Sequence, residues 1–403
     1  MPEAGHDYGF RLPVASVALP PTEAAQPIQP LWRSNGMKQS NQVGPINAGS
    51  LAVAAISGLL IVPLSAHAQS SLNLYGLIDT GVSWVSTGTD RSGILSTGVA
   101  STSRLGFRGA EDLGNGLRAV FDLESGFNSD TGGQRGGPAN RLFDRIATVG
   151  LAGDFGQIRL GRDTTPTYNA AGLNDLMGHG YWGNTQGFGY TTVRIDNAIF
   201  YRSPVLQGFS GEAAGSFGGA SSTGTSTSVA GGSQVTESLI SADRVGRYYG
   251  GRLAYEMGPV KANAAYGQVD VTPGVRVREV VAGASYDFGM IKAGAGYYRA
   301  HPTGADRLRG VNVGASIKVG TGTLLAQFYQ VKLDSATNAP RANTFGLAYH
   351  YPVSRRTSLY ASVGALHNNG SANFNLRSAS ELLIPSSIGE NPRALSLGLR
   401  HVF

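Results

Sequence analysis

The amino-acid sequence predicts an all-β protein, a 16-stranded antiparallel transmembrane β-barrel with a long loop that constricts its lumen. The chain of 403 residues contains 58 Gly and only 14% charged residues, a composition that suits many strands joined by tight turns. After residue 69, segments alternate in polarity and are separated by turn residues, as the strands of membrane barrels are. Residues 163–193 interrupt this repeat without apolar periodicity, and loops of that length are usually functional.

The N-terminal part of the chain carries the pattern of an export signal. Residues 1–36 are rich in Pro and Ala and lack periodicity, so we expect a disordered leader or an extension from a start codon assigned too early. Residues 37–68 begin with a Met-Lys pair, continue with an apolar run too short to span a membrane, and close with Ala66-His67-Ala68. This is typical of a signal peptide cleaved before Gln69, which leaves residues 69–403 as the barrel.

The first predicted strand shows the polarity alternation most clearly. One face carries Leu72, Leu74, Ile78, Val82 and Trp84, and the other carries Asn73, Tyr75, Asp79 and Ser83. Because successive side chains of a strand point to opposite faces, lipid would contact one side and water the other.

Sixteen such segments follow one another. Their predicted spans are 71–87, 102–111, 117–129, 142–152, 156–163, 194–203, 209–218, 246–257, 260–271, 276–288, 290–300, 309–318, 322–333, 342–351, 357–367 and 393–403. An even strand count lets the sheet close, so that no backbone edge faces lipid. Arg145 shares its parity with Val149 and Leu151, so we expect a bulge there or packing against the lumen loop. A large soluble β-sandwich is the alternative fold.

Composition and motifs argue against several function classes. The net charge of +6 comes from 32 basic and 26 acidic residues spread along the chain, so we expect no nucleic-acid partner. Cys is absent, which excludes disulfides and thiolate metal sites. The seven His lack ligand spacing, and no Walker A, H-E-x-x-H or G-x-S-x-G motif occurs. We therefore expect no enzyme activity, no cofactor and no bound metal.

Several segments resemble the general trimeric porins of Gram-negative outer membranes, most closely the β-proteobacterial branch. They are SRLGFRGAEDLGNGLRAVFDLESGF (103–127), DRIATVGLAGDFGQIRLGRDTTPTY (144–168), DNAIFYRSPVLQGF (196–209) and ALSLGLRHVF (394–403). The likeness covers nearly all of residues 70–403. It implies a homotrimer in contact with the lipid bilayer and lipopolysaccharide, with residues 130–141 and Arg135 as a latch between subunits. Phe403 resembles the terminal signature that the outer-membrane assembly machinery reads.

The resemblance also implies a third loop folded into each lumen opposite a row of arginines. The wall positions fall on Arg104 in SRLGFRG, Arg145 in the DRIATVGL strand and Arg194 before the DNAIFY strand. The acidic position of the loop falls on Asp175 in LNDLMG, where relatives often have a Pro-Phe pair instead of Leu176-Met177.

The long loop itself supplies the remaining candidates for the pore constriction. Asp163 opens the loop, and Arg162 and Arg194 bracket it. The arginines have a structural alternative, because Arg104 and Arg145 could serve as ion-pair partners for acidic strand residues. The loop also carries the aromatic residues Tyr181, Trp182, Phe188 and Tyr190.

This pattern favours an outer-membrane channel for passive diffusion of ions and small hydrophilic solutes. Three arginines against one or two carboxylates would leave the constriction positive, which predicts a modest anion preference. A substrate-selective channel is one alternative, because the loop aromatics could act as a sugar slide. A structural or adhesive surface barrel, using the loops at 219–245 and 368–392, is the other.

Overall fold

The computed structural model describes residues 71–135, 141–188, 192–218, 246–335 and 339–403. The export signal at residues 1–68, the loop at 219–245 and Tyr190 lie outside these ranges. The boundaries expected at residues 36 and 68 therefore stay predictions.

The described chain consists of strands, with one α-helix and one 3-10 helix between β6 and β7. The strands are β1 (Ser71–Ser86), β2 (Arg91–Ser96), β3 (Arg104–Gly114), β4 (Leu117–Gly126), β5 (Ile146–Gly153), β6 (Gly156–Thr164), β7 (Arg194–Arg202), β8 (Phe209–Ser216), β9 (Tyr248–Met257), β10 (Val260–Thr272), β11 (Val275–Asp287), β12 (Ile291–Pro302), β13 (Arg307–Val319), β14 (Gly322–Asp334), β15 (Arg341–Pro352), β16 (Thr357–Asn368), β17 (Leu376–Arg377), β18 (Leu382–Leu383) and β19 (Arg393–Val402). The helices are α1 (Pro166–Asn174) and the 3-10 helix Thr185–Phe188. No helix among the described residues is long and apolar enough to cross a membrane.

Sixteen of these strands form one closed antiparallel barrel, and β2, β17 and β18 are short strands within loops. Barrel strands pair with their neighbours in chain order, and β1 closes the sheet by pairing with β19, from Leu77 opposite Val402 to Ser86 opposite Arg393. Phe403 extends this ladder, since its N–H donates to the carbonyl oxygen of Gly76 over 3.0 Å. The predicted fold is confirmed, and the predicted spans match the observed strands to within a few residues.

The connections differ between the two rims of the barrel. At one rim the turns are tight, as between β3 and β4, where Asn115 and Gly116 take φ values of 52° and 76°. An Asn-Gly pair at positive φ is the turn that best matches the twist of a hairpin. The other rim carries the longer connections, including residues 369–392 between β16 and β19.

The outer surface of the barrel is apolar. Leu72 and Trp84 of β1 are 69% and 51% exposed, whereas Asp79 and Ser83 of the same strand are fully buried. The parity anomaly at Arg145 needs no bulge, because β5 begins at the next residue and Arg145 lies in the preceding loop. A continuous apolar outer surface of this kind is lipid-facing in a membrane barrel.

The hydrophobic core lies inside the barrel, between the wall and the connection from β6 to β7. Helix α1 starts this connection: the Thr165 side chain accepts a hydrogen bond from the Tyr168 N–H, and Pro166 occupies the first turn. Met177 and Trp182 follow the helix and are 2% and 0% exposed. They pack with inward-facing tyrosines of the wall, namely Tyr248, Tyr298, Tyr329 and Tyr360.

Candidate pore constriction

Glycines on the inner wall make room for the loop between β6 and β7, here called the lumen loop (165–193). A Cβ atom on Gly346 would lie 2.7 Å from Cε of Met177, and one on Gly364 would lie 2.6 Å from Cβ of Trp182. Both distances are shorter than carbon atoms tolerate, so a side chain there would displace the loop. The glycines of β10 to β13 that face the loop in the same way are Gly267, Gly283, Gly296 and Gly314.

Gln327 of β14 holds the centre of the lumen loop. Its Nε2 donates to Oδ1 of Asp175 over 2.8 Å and to the carbonyl oxygen of Gly183 over 3.2 Å, while its Oε1 accepts from the Leu176 N–H over 3.1 Å. One wall side chain thereby binds three separate points of the loop.

Trp182 and Tyr181 fix the loop farther along. The Trp182 N–H donates to Oγ of Ser362 over 3.1 Å, and its indole Nε1–H donates to Oγ of Ser396 over 2.7 Å. The Tyr181 hydroxyl is 2.9 Å from Nδ1 of His350. These two aromatic side chains anchor the loop to the wall and do not line the lumen cavities described below.

Glu279 of β11 ties the two ends of the loop together. Its carboxylate accepts hydrogen bonds from the Thr167 hydroxyl over 3.1 Å, the Thr192 N–H over 3.2 Å and the Tyr298 hydroxyl over 3.0 Å. The loop is therefore held at its base and along its length, and it leaves open only the side of the barrel opposite this wall.

A cavity of about 590 Å³ lies between the lumen loop and that opposite side. Its described lining includes seven arginines and three carboxylates: Arg104, Arg135, Arg141, Arg145, Arg162, Arg194 and Arg377, with Glu124, Asp144 and Asp163. A second cavity, of about 690 Å³, shares Asp163, Tyr168 and His179 with the first. The two cavities meet at these residues, which places a narrowing beside the arginine wall.

Five of the six predicted constriction residues line the first cavity: Arg104, Arg145, Arg162, Arg194 and Asp163. Asp175, the sixth, is not among its lining residues and is 3% exposed. Its carboxylate turns into the loop and accepts hydrogen bonds from the backbone N–H groups of Met177, His179 and Thr185 over 2.9 to 3.2 Å. Asp175 therefore organises the loop instead of facing the arginines as expected. The constriction role of the six residues stays a prediction.

Glu124 compensates part of the positive charge on the wall. Its Oε1 lies 2.5 Å from Nε of Arg145 and 3.8 Å from Nη1 of Arg104. Arg194 is placed beside them, because its Nε donates to the carbonyl oxygen of Arg145 over 2.8 Å. Arg104 and Arg145 are thus both ion-pair partners and cavity-lining residues, so the two alternatives from the sequence coexist.

The remaining predicted residues also have partners. Arg162 donates from Nε to the carbonyl oxygen of Asp144 over 2.7 Å, and its Nη1 lies 2.5 Å from Oδ1 of Asp196. Asp163 accepts from the Thr164 N–H over 2.6 Å and forms an ion pair with Arg159. These contacts fix the side chains at the cavity wall.

Sequence reasoning missed three basic residues of the cavity, Arg135, Arg141 and Arg377. Arg135 was expected to act between subunits, but its guanidinium donates to the carbonyl oxygen of Ser380 in the same chain over 2.9 Å. Burial, with repulsion from Arg145, lowers the pKa of Arg135. All three lie in or beside irregular loops, where no polarity pattern marks the side that faces the lumen.

Comparisons with known proteins agree with this geometry. A family model described as "Gram-negative porin" matches residues 50–371. The chain belongs to the Gram-negative porin family. Outer membrane porin protein 32 of Delftia acidovorans is 33% identical over 374 residues, which cover 88% of this chain and 98% of that protein. Further relatives are porins of Bordetella pertussis and Neisseria gonorrhoeae, so the predicted β-proteobacterial branch is confirmed.

Solved structures give the same result. The anion-selective porin from Comamonas acidovorans has a TM-score of 0.71 and 31% identity, and the match covers 83% of this chain and 100% of that one. The trimer form of OmpT from Vibrio cholerae shares the fold, with a TM-score of 0.63 at 14% identity over 83% of this chain and 99% of that one. The present porin is an outer-membrane channel protein, as predicted.

Proposed function

We propose that this porin conducts small hydrophilic solutes by passive diffusion and prefers anions. The observation that carries the proposal is the excess of arginine over carboxylate around the first cavity, from which Asp175 is withdrawn. Two unit charges about 8 Å apart interact by roughly 0.5 kcal/mol at the dielectric constant of water and by about 2 kcal/mol at an effective value of 20. A permeating ion would feel a field of that order. The anion-selective relative from Comamonas acidovorans supports this proposal.

The zero-current potential of the purified porin in a planar bilayer tests it. Under a potassium chloride gradient, we expect the sign that corresponds to chloride preference, with a magnitude that decreases as total salt rises and screens the arginines. A potential of the opposite sign, which means clear cation selectivity, would contradict the proposal.

We further infer that the porin is a homotrimer that resists dissociation in detergent until it is heated. A relative with the same fold has been solved in a trimer form, and a closed barrel offers no free strand edge from which to unfold. Chemical cross-linking in native membranes should yield trimers, whereas cross-links that never exceed a monomer would refute the inference.

The C-terminal residue is the proposed recognition element for the outer-membrane assembly machinery. Phe403 is bound into the barrel seam, because its carbonyl oxygen accepts from the Gly76 N–H over 3.2 Å and its own N–H donates back. Deletion of Phe403 should reduce the amount of folded porin in the outer membrane. Phe403→Tyr, which keeps an aromatic ring, serves as the control and should insert normally.

A further inference from the structure

Four basic residues form a row across four neighbouring strands, near the rim that carries the longer loops. Arg299 of β12 stands opposite Arg309 of β13, Arg309 stands opposite Lys332 of β14, and Lys332 stands opposite Arg341 of β15. These residues are called the basic row below. Directly opposed side chains start about 5 Å apart, and like charges in that arrangement destabilise a sheet.

The basic row lies on the outer face of the barrel. Val311 and Phe345, at the same strand parity as the row, are 47% and 58% exposed. Leu308, Val331 and Ala342, each adjacent to a row member and of opposite parity, are all 0% exposed and face inward. The four cations therefore project away from the pore, toward the surroundings of the barrel.

Acidic side chains compensate only part of this charge. Asp334 pairs with Arg309, with an oxygen 3.0 Å from Nε and 2.5 Å from Nη2. Arg307 stands opposite Asp334 in the pairing of β13 with β14 and adds a further positive charge. Within the described ranges, the other three members of the row have no ion pair. The row thus retains positive charge that an external anion would neutralise.

Polarity changes in order along the outer face of β14 and β15. Phe328 and Phe345 stack with ring centroids 4.9 Å apart. The next outward pair is Gln330 and Asn343, joined by a hydrogen bond of 2.8 Å, and the pair after it is Lys332 with Arg341. From the aromatic pair to the cationic pair is about 14 Å along the strand. This sequence of apolar, neutral and cationic groups mirrors an anionic lipid, whose acyl chains lead to a charged headgroup.

An apolar groove lies below the row on the same strands. It is a cavity of about 580 Å³, lined mainly by Val313, Ala315, Ala326, Phe328, Phe345, Leu347 and Val363. Ala315 and Ala326 stand opposite one another, and their small side chains leave space between larger neighbours. A polar hollow of about 780 Å³ includes Lys332 and Arg341 of the row, with Ser335, Asn369 and Ser371.

We propose that this outer face binds a phosphorylated, acylated saccharide lipid, which is the chemistry of lipopolysaccharide. An acyl chain lies in the groove, a phosphate contacts the basic row, and sugar hydroxyls reach the polar hollow. Arg and Lys form strong charge-assisted hydrogen bonds with phosphate. Because the face points away from the lumen, the site is independent of the ion selectivity proposed above.

The test is a binding titration with porin refolded without lipopolysaccharide in detergent. Purified diphosphoryl lipid A is the probe, and the lipid-dependent rise in unfolding temperature gives the affinity. We expect Lys332→Gln/Arg341→Gln to bind at least about tenfold more weakly, because two charge-assisted contacts are lost. The matched control, Arg355→Gln/Arg356→Gln, removes two exposed cations at the tight-turn rim and should bind as the wild type does.

A second variant tests the groove without changing charge. Ala326→Leu fills the groove with an apolar side chain, so it should also weaken lipid A binding while the barrel stays compatible with lipid. Unaltered single-channel conductance of each variant shows that the barrel has folded. A pore that proves cation-selective but still binds lipid A through the row would refute the proposed function and leave this inference intact.

Three results would overturn the inference. The first is equal lipid A affinity of Lys332→Gln/Arg341→Gln and the wild type. The second is displacement of lipid A by equimolar phosphatidylglycerol or inorganic phosphate, which would show that no saccharide lipid is selected. The third is a disulfide between copies of an Arg341→Cys variant, since the natural chain has no Cys and such a bond would place this face between subunits.

Discussion

Nε of Arg194 donates a hydrogen bond to the backbone carbonyl oxygen of Arg145 over 2.8 Å. This bond joins the first residue of β7 to the residue that precedes β5, across the intervening strand β6. It holds two guanidinium groups of the cavity wall in a fixed relation, while Glu124 contacts only the nearer one closely. The wall is therefore a rigid array of positive charge, and its substitution should change selectivity more than folding.

Reversal of two wall charges should reverse the ion preference. In Arg104→Glu/Arg145→Glu, the zero-current potential should move toward cation preference, because lumen positions tune selectivity and lipid-facing positions determine insertion. Arg355→Glu/Arg356→Glu, which reverses two exposed charges at the tight-turn rim, should move it much less. If the wall variant keeps the wild-type potential, these arginines do not line the constriction.

The two acidic loop candidates should respond differently to the same substitution. Asp163→Asn removes a negative charge from the cavity lining, so anion preference should increase. Asp175→Asn should leave the potential near the wild-type value but loosen the loop, because one carboxylate oxygen that accepts N–H groups is replaced by a donor. Single-channel recordings would show this as added current noise. A larger potential shift for Asp175→Asn than for Asp163→Asn would contradict the observed placement.

A side chain at the glycine bed should displace the lumen loop. Gly364→Val places Cβ where Trp182 now packs, and overpacking of this kind typically costs about 1–3 kcal/mol. We expect a lower unfolding temperature and an altered solute size limit in liposome-swelling assays. Gly215→Val in β8 is the control, since a Cβ there meets no atom within 4 Å. Equal effects of the two substitutions would argue against loop displacement.

Acidic pH should weaken the packing of the loop through His179. Burial lowers the pKa of His179, although Asp175 acts in the opposite direction, and its ring lies 4.6 Å from that of Tyr168. A His with a lowered pKa contributes stability that is fully present above its ordinary value of about 6.5 and is lost as pH falls below it. Current noise should therefore rise as the pH falls from 7.5 to 5. In His179→Gln the rise should be smaller, and an identical rise would exclude this residue as the cause.

Export should remove the N-terminal segment. N-terminal sequencing of porin from the outer membrane should give Gln69 or a residue within two positions of it, because the A-x-A site follows an apolar run too short to span the bilayer. A chromosomal copy of the gene whose reading frame starts at Met37 should yield the same mature protein. A mature chain that begins before Met37 would refute this cleavage site.

The sequence by itself determined the strands and the faces they present. Every second side chain of a barrel strand faces lipid, so the alternation of Leu72 and Leu74 with polar neighbours is imposed by the membrane and can be read without coordinates. The same rule located Arg104 on the lumen side. The family resemblance then placed Arg145 and Arg194 beside it.

Tertiary structure alone decided the path of the lumen loop. Asp175 turns inward because Gln327, far along the chain, and the loop's own backbone N–H groups bind its carboxylate. Gly346 and Gly364 leave room for the loop, yet a glycine in a strand looks the same in sequence whether or not a loop rests on it. Arg377 reaches the cavity by the fold of an irregular segment. Contacts between distant parts of the chain carry no local period, and so these placements follow from packing and not from pattern.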